Sequence, residues 1–424
     1  MKKHTRIFVI ITILFIIIGF IVKSKYYYVP YPNLIEYILA VVLLVITFFS
    51  LFGKKHIEKK QRIATGMSAI VMFMMTINLL NYIFEWHPLD LKVPFAKSQS
   101  FEVDFEPYSW ETASPETYGY NNAVLDNFFE DVNAWDRLRG LIVVKDGKLI
   151  IEKYFAGTTR YSAFNVHSVT KSITSALVGL SIQHNFINSE HELVMPFFSE
   201  YTTEYNQNYK GALTIKHLLS MRGGWAGWDG HQTAVECIVD EKLDVMPDST
   251  FKYFTGSQNI LSAIITKTTN QSTREFADQY LFKPLGIQNG FWRKVGGYYC
   301  GGDESYYTAR DLARIGSMYL NKGNVDGVHL LDSIWVRKSF VNYTTASNEF
   351  RSLDAYDEVG YGFCWWIFKT KAGHLMYAAR GKGGQHVVLI PNKNIVVVIL
   401  QEWNPLKKNA KVEDKLIGDL LKIL

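Results

Sequence analysis

The 424-residue chain is long enough for a large buried core and for more than one domain. Its formal net charge of +5 is unevenly spread: residues 1–62 carry ten Lys or Arg against Glu36 and Glu58, a net of +8, leaving 35 basic and 38 acidic residues, a net of −3, in the remainder. The basic balance therefore gives no support for nucleic-acid binding, and Cys237, Cys300 and Cys364 are too scattered for a Cys-x-x-Cys pair or a disulfide framework.

In chain order, three apolar stretches come first, at 7–22, 34–52 and 63–84. Each approaches the roughly 20 residues that span a bilayer as a helix. Lys54, Lys55, Lys59, Lys60 and Arg62 separate the second from the third. A single such charge at mid-bilayer costs about 2.5–3.5 kcal/mol, so this loop is expected outside the hydrocarbon. The positive-inside rule puts it in the cytoplasm with Lys2, Lys3 and Arg6, and Tyr26, Tyr27, Tyr28 and Tyr31 at the outer interface. Residues 1–86 thus predict a membrane anchor of three transmembrane helices in a multi-pass cell-membrane protein, everything after Trp86 being extracytoplasmic. The competing reading is a cleaved signal peptide in residues 1–25, although no small-x-small site follows the first apolar run.

Residues 87–117 read as a linker, interrupted by Pro88, Pro94, Pro107 and Pro115. From 118 to 424 the chain reads as one globular domain. Leu141–Val144 and Leu149–Tyr154 flank Asp146-Gly147, a strong hairpin signal. A second hairpin is predicted from Val387–Ile390 and Ile395–Leu400, and an amphipathic helix from Val412–Leu424. With strands at both ends and a helical, loop-rich middle, an antiparallel sheet fits better than alternating βαβ units. The predicted class is α/β (α+β): an antiparallel sheet flanked by helices, with a helical subdomain.

The chemistry concentrates at Ser168-Val169-Thr170-Lys171. Ile173, Ala176, Leu177 and Leu180 recur at helical spacing downstream, so Ser168 and Lys171 share one helix face a turn apart. A serine hydroxyl needs a base to become a nucleophile, and a desolvated lysine can serve. The helix N-terminus favours a developing alkoxide. Other constellations fail. There is no Gly-x-Ser-x-Gly elbow, and His191-Glu192 lacks the second His of a zinc site. His217, His231, His374 and His386 are isolated and read as core or surface residues. Gly381-Lys382-Gly383-Gly384 lacks Walker spacing and precedes a strand.

The neighbours of the Ser-x-x-Lys motif raise its weight. Leu141–Phe155 (LIVVKDGKLIIEKYF), His167–Leu180 (HSVTKSITSALVGL), Thr214–Gly224 (TIKHLLSMRGG), Phe251–Ile265 (FKYFTGSQNILSAII), Phe282–Ile287 (FKPLGI), Tyr361–Trp366 and Gly381–Pro391 follow one another in order. Together they resemble the serine β-lactamase and penicillin-binding-protein superfamily, in its class C β-lactamase-like branch of hydrolases and esterases that includes 6-aminohexanoate-dimer hydrolases.

This resemblance implies Ser168 as acylated nucleophile, Lys171 as its base or proton shuttle, and Tyr253 as a second proton carrier whose phenolate Lys171 stabilises. It implies an oxyanion hole from the backbone N–H groups of Ser168 and Lys382, beside Gly381 on a strand. A shifted register, Gly381-Lys382-Gly383, would move the second donor to Gly384. Thr255 stands where Asn or Ser is common, and Ala379-Arg380-Gly381 where Lys-Thr-Gly or His-Thr-Gly is usual. Arg380 is a candidate anion anchor. The altered third motif weakens the case for a true β-lactamase or D-Ala-D-Ala peptidase.

Of Trp225, Trp228, Trp292, Trp365 and Trp366, about two are expected to touch substrate, and Arg222 replaces a small polar residue without evident reason. The expectation is a membrane-anchored serine hydrolase of amide or ester bonds, needing no metal or organic cofactor. Its partners would be the lipid bilayer and a small-molecule or cell-envelope substrate, with no nucleic acid. The alternative is a catalytically weak envelope- or β-lactam-binding sensor.

Overall fold

The structure, a computed structural model, describes residues 100–133, 135–201, 209–227, 233–288, 290–345, 356–371, 373–402 and 410–423. The chain divides into two compact units, Met1–Ser98 and Gln99–Leu424, and all described residues fall in the second.

Asp146 and Gly147 both take positive φ (49° and 80°), the two-residue turn that matches strand twist, and close the hairpin of β1 (Leu138–Lys145) and β2 (Lys148–Tyr154). Near the other end, β3 (Tyr356–Tyr361), β4 (Trp366–Thr370), β5 (Leu375–Gly381), β6 (Gln385–Ile390) and β7 (Ile395–Gln401) run as an antiparallel meander. β7 then pairs antiparallel with β1, so both ends of the domain meet in one eight-stranded sheet whose order is Thr344–Thr345, β3, β4, β5, β6, β7, β1, β2.

Side-chain alternation sends these strands' residues to two cores. Ile142, Val144, Val387, Leu389, Val396 and Val398 join a cluster with α2 (Val169–Gln183), α3 (Gly256–Thr269) and α4 (Ala309–Leu320). Leu141, Val143, Val388, Ile390, Val397 and Ile399 face α1 (Asn122–Asn133) and α5 (Ala410–Ile423). Because both faces are covered, β7 reads as an apolar run from Ile395 to Leu400. Each of these side chains contributes about 1.5–3 kcal/mol by burial. α4 lies close on this sheet because of Gly316, where a Cβ would stand 2.7 Å from Val396 and 2.9 Å from Val387.

Residues 100–117 also contribute to this unit. Ser100–Glu102 pairs with Ser162–Asn165 in a second, four-stranded sheet completed by Ser305–Tyr307 and Phe291–Trp292, and Thr112 bridges to Leu149.

The expectation of three transmembrane helices and a multi-pass membrane location is corrected. Among the described residues no helix is long and apolar enough to cross a membrane. The longest of them, α2, has 15 residues, about 22 Å at 1.5 Å per residue, against a hydrocarbon core of about 30 Å. The stretches 7–22, 34–52 and 63–84 lie outside the described residues.

Candidate active site

The second sheet delivers the chain to the Ser-x-x-Lys turn. After Ser162–Asn165, His167 takes a left-handed conformation (φ 46°), its N–H held by Asn165 Oδ1 at 3.0 Å, and α2 begins directly beyond Ser168. Thr170 pins this turn, donating from Oγ1 to the His167 carbonyl (2.6 Å) and sharing a hydrogen bond with Ser305 Oγ (2.7 Å). α2 is buried from Val169 to Ser181, as a core helix must be, and two of its hydroxyls find distant carbonyls: Ser172 donates to Cys364 O (2.6 Å) and Thr174 to Gly301 O (2.7 Å).

Ser168 is half-buried, while Lys171, one turn on, is fully buried. Lys171 Nζ donates to Ser168 Oγ (2.9 Å), Thr255 Oγ1 (3.1 Å) and the Gly302 carbonyl (2.7 Å). As an ammonium it spends three protons on three oxygens. As an amine it offers a lone pair, and the Ser168 proton is the mobile one within reach.

α3 supplies the opposite wall. Thr255 stands at its start, and one turn later Asn259 Oδ1 accepts from Gly302 N–H at 3.2 Å, anchoring the segment whose Gly302 carbonyl accepts from Lys171. Gly302 must be glycine here, since a Cβ would lie 2.5 Å from Thr255 Cγ2, 2.9 Å from Thr255 O and 3.5 Å from Lys171 Nζ. Neither Asn259 nor Gly302 was among the expected site residues; the Gly301-Gly302 dipeptide was the available signal of close approach. Tyr253 is half-buried with its ring centroid 4.9 Å from Lys171 Nζ. The ring stacks on Trp366 (5.7 Å, 13°) and stands edge-on to Tyr361 (6.1 Å).

The third segment approaches the same turn from β5. Gly381, the last residue of β5, pairs with Gln385, and a Cβ on it would collide with the Val166 carbonyl. Lys382, Gly383 and Gly384 form the following turn, with φ of 87° and 95° at the two glycines. Gly381 is therefore the glycine laid against the segment entering Ser168, and Gly383 belongs to the turn. Arg137 Nη2 holds that turn by donating to Gly383 O (2.8 Å). The Arg380 guanidinium lies 5.5 Å from the Phe368 ring centroid, on the face it shares with Ala378 and Trp366.

Of the tryptophans, Trp366 borders Tyr253. Trp225 is buried, stacked on Phe254 at 4.8 Å; Trp292 is buried, donating to Cys300 O (2.7 Å); Trp365 is buried against Tyr319; and Trp228 lies outside the described residues. His217 closes a capping box with Thr214, and burial pulls its pKa below the usual range. Cys300, Asp303 and Glu304 present ligand atoms within 4.8 Å of one another. They suit a metal poorly, because Arg293 pairs with Glu304 and burial drives the Cys300 thiol far above its usual pKa.

Residues 125–422 match the family described as Beta-lactamase. The chain belongs to the β-lactamase family. Among this family's relatives, the 6-aminohexanoate-dimer hydrolase of Paenarthrobacter ureafaciens is 23% identical over 290 residues, 62% of this chain and 72% of that protein. A penicillin-binding protein homologue from Pyrococcus abyssi superposes with a TM-score of 0.57 at 16% identity, covering 71% of this chain and 76% of that one. One from Caulobacter crescentus gives 0.57 at 12% identity, covering 75% and 100%. At these identities the structural likeness speaks for the β-lactamase-like fold alone. Family and relatives together make this chain a β-lactamase-related serine hydrolase acting on amide or ester bonds.

Proposed function

We propose that the chain hydrolyses its substrate through an acyl-enzyme on Ser168. The observation that carries this reading is the 2.9 Å contact between a fully buried lysine amine, Lys171 Nζ, and a half-exposed hydroxyl, Ser168 Oγ. As Ser168 Oγ attacks the substrate carbonyl, Lys171 takes its proton. Tyr253, beside the same amine, gives its proton to the departing amine or alcohol and takes the serine proton from Lys171 in return. Water then adds to the acyl carbonyl, gives its proton back through the same pair, and frees the acid with Ser168 restored. The N–H groups of Ser168 and Lys382 serve as the oxyanion hole, and Gly381 leaves room for substrate backbone along β5. Thr255 and the Gly302 carbonyl orient Lys171.

A small-molecule or cell-envelope amide or ester is the favoured substrate over a β-lactam. Ala379-Arg380-Gly381 lacks the usual third-motif side chains, and the curated relative is named for the hydrolysis of a 6-aminohexanoate dimer. The test is hydrolysis of p-nitrophenyl butyrate with labelling by a fluorophosphonate probe. Ser168→Ala should abolish labelling and lower kcat by several orders of magnitude. Full activity in that variant, or stable acylation of the native chain without turnover, refutes the proposal.

A further inference from the structure

Arg222 has no part in the chemistry proposed above, yet the structure gives it a specific job. It follows Met221, whose φ of 57° turns the chain out of the short helix Ile215–Leu219, and its own N–H bonds back to His217 O (2.8 Å). From this turn the segment 221–226 lies along the loop that ends at Tyr253. The Arg222 carbonyl accepts from Asp248 N (2.8 Å), Met221 O from Lys252 N (2.9 Å) and Met221 Sδ from Phe254 N (3.4 Å). Tyr253 is thus bracketed on both sides in sequence by bonds to Met221.

The Arg222 side chain then joins this loop to the neighbouring sheet edge. Nε donates to Asp248 Oδ1 (2.6 Å), Nη2 to the Asp248 carbonyl, and Nη1 to the Tyr343 carbonyl at 3.2 Å. Tyr343 N–H in turn bonds to Tyr361 O (3.0 Å), and the Tyr361 ring stands edge-on to Tyr253. One planar fork therefore reaches both the loop that carries Tyr253 and the strand edge that walls it. Lysine, with a single ammonium, has no such reach. The Asp248 side chain is 57% exposed, so the ion pair itself supplies little stability; its value is geometric.

We infer that Arg222 is a positioning residue that fixes Tyr253 over Lys171. The inference rests on the proposed role of Tyr253 as proton carrier. A misplacement of about 1 Å at a reacting group costs on the order of a hundredfold in rate. The full chain is assayed on p-nitrophenyl butyrate as wild type, Arg222→Ala, Tyr253→Phe and the double variant, with circular dichroism to verify folding.

Arg222→Ala should lower kcat by about ten- to a hundredfold while KM stays within about twofold, and the double variant should be no slower than Tyr253→Phe alone. An unchanged kcat, or the same fold-loss in both backgrounds, overturns the inference. If Arg222→Ala does not fold, Arg222→Lys takes its place in the same cycle and the same outcomes decide. Failure here is distinguishable from failure of the mechanism. Wild-type kcat in Tyr253→Phe removes the proton role and the inference with it. A slow Tyr253→Phe that shows no coupling to Arg222 removes the inference alone.

Discussion

Gly302→Ala is the sharpest probe of how the lysine is held. The added Cβ would stand 2.5 Å from Thr255 Cγ2 and 2.9 Å from the Thr255 carbonyl, whereas ordinary contact begins at 3.4 Å. The methyl can rotate away, but the carbonyl is backbone at the start of α3 and cannot. One of the two segments must therefore shift by several tenths of an ångström, about 0.5 Å to clear the carbonyl. Either shift lengthens a bond to Lys171, from the Gly302 carbonyl at 2.7 Å or from Thr255 Oγ1 at 3.1 Å. By the scale on which about 1 Å of misplacement costs a hundredfold, kcat should fall by about ten- to a hundredfold. Overpacking should cost about 1–3 kcal/mol of stability, seen as a lower Tm. Gly418→Ala is the control: it lies within α5 with open space around its Cβ, and should keep wild-type kcat while gaining about 0.5–1 kcal/mol from helix propensity. Wild-type kcat and Tm in Gly302→Ala would refute the claim that Gly302 is packed against the lysine's partners.

Gly381→Ala should abolish p-nitrophenyl butyrate turnover, since the methyl collides with the Val166 carbonyl two residues before Ser168; near-native activity would mean that β5 does not abut that turn. Asp311 tests pH dependence of stability. Buried at the start of α4 with Oδ1 unpartnered and Oδ2 accepting from Thr308, its carboxyl is pushed up from 3.8 to about 7 by desolvation. The folded state therefore holds this proton more tightly than the unfolded chain does. Asp311 is neutral and harmless below about pH 4, and stability declines as pH rises from there through about 7. The difference corresponds to a ceiling of about 4 kcal/mol. Asp311→Asn, which mimics the protonated acid, should raise Tm at pH 8 and leave it nearly unchanged at pH 4; equal shifts at both pH values would count against the buried charge.

What could be read before any coordinates was local or periodic. Asp146-Gly147 announces its own turn because both residues tolerate positive φ, and the runs around it and at 387–400 read as the strands of two hairpins. Ser168 and Lys171 were legible because a helical turn brings positions three apart together, without help from the rest of the chain. The other parts of the site depend on approaches that no local pattern encodes. Gly302 comes from 131 residues beyond Lys171, and its segment is anchored by Asn259, 43 residues before it. Whether the third motif's glycine is Gly381 or Gly383 could not be read from sequence, and only the folded chain puts Gly381 at the end of the strand against Val166 and Gly383 in the turn beyond.

Which tryptophans border the site could not be read either: amphipathic rings look alike in sequence, and Trp365 packs on Tyr319 while its neighbour Trp366 packs on Tyr253, because adjacent residues point to opposite sides. Arg222 is the most instructive of these. As a single substitution in a motif it had no account, because its partners, Asp248 and Tyr343, lie 26 and 121 residues away. Once the loop is folded back, the same arginine becomes a side chain that spans both walls around Tyr253. A departure from a family pattern can thus mark where a chain supports its own version of the site.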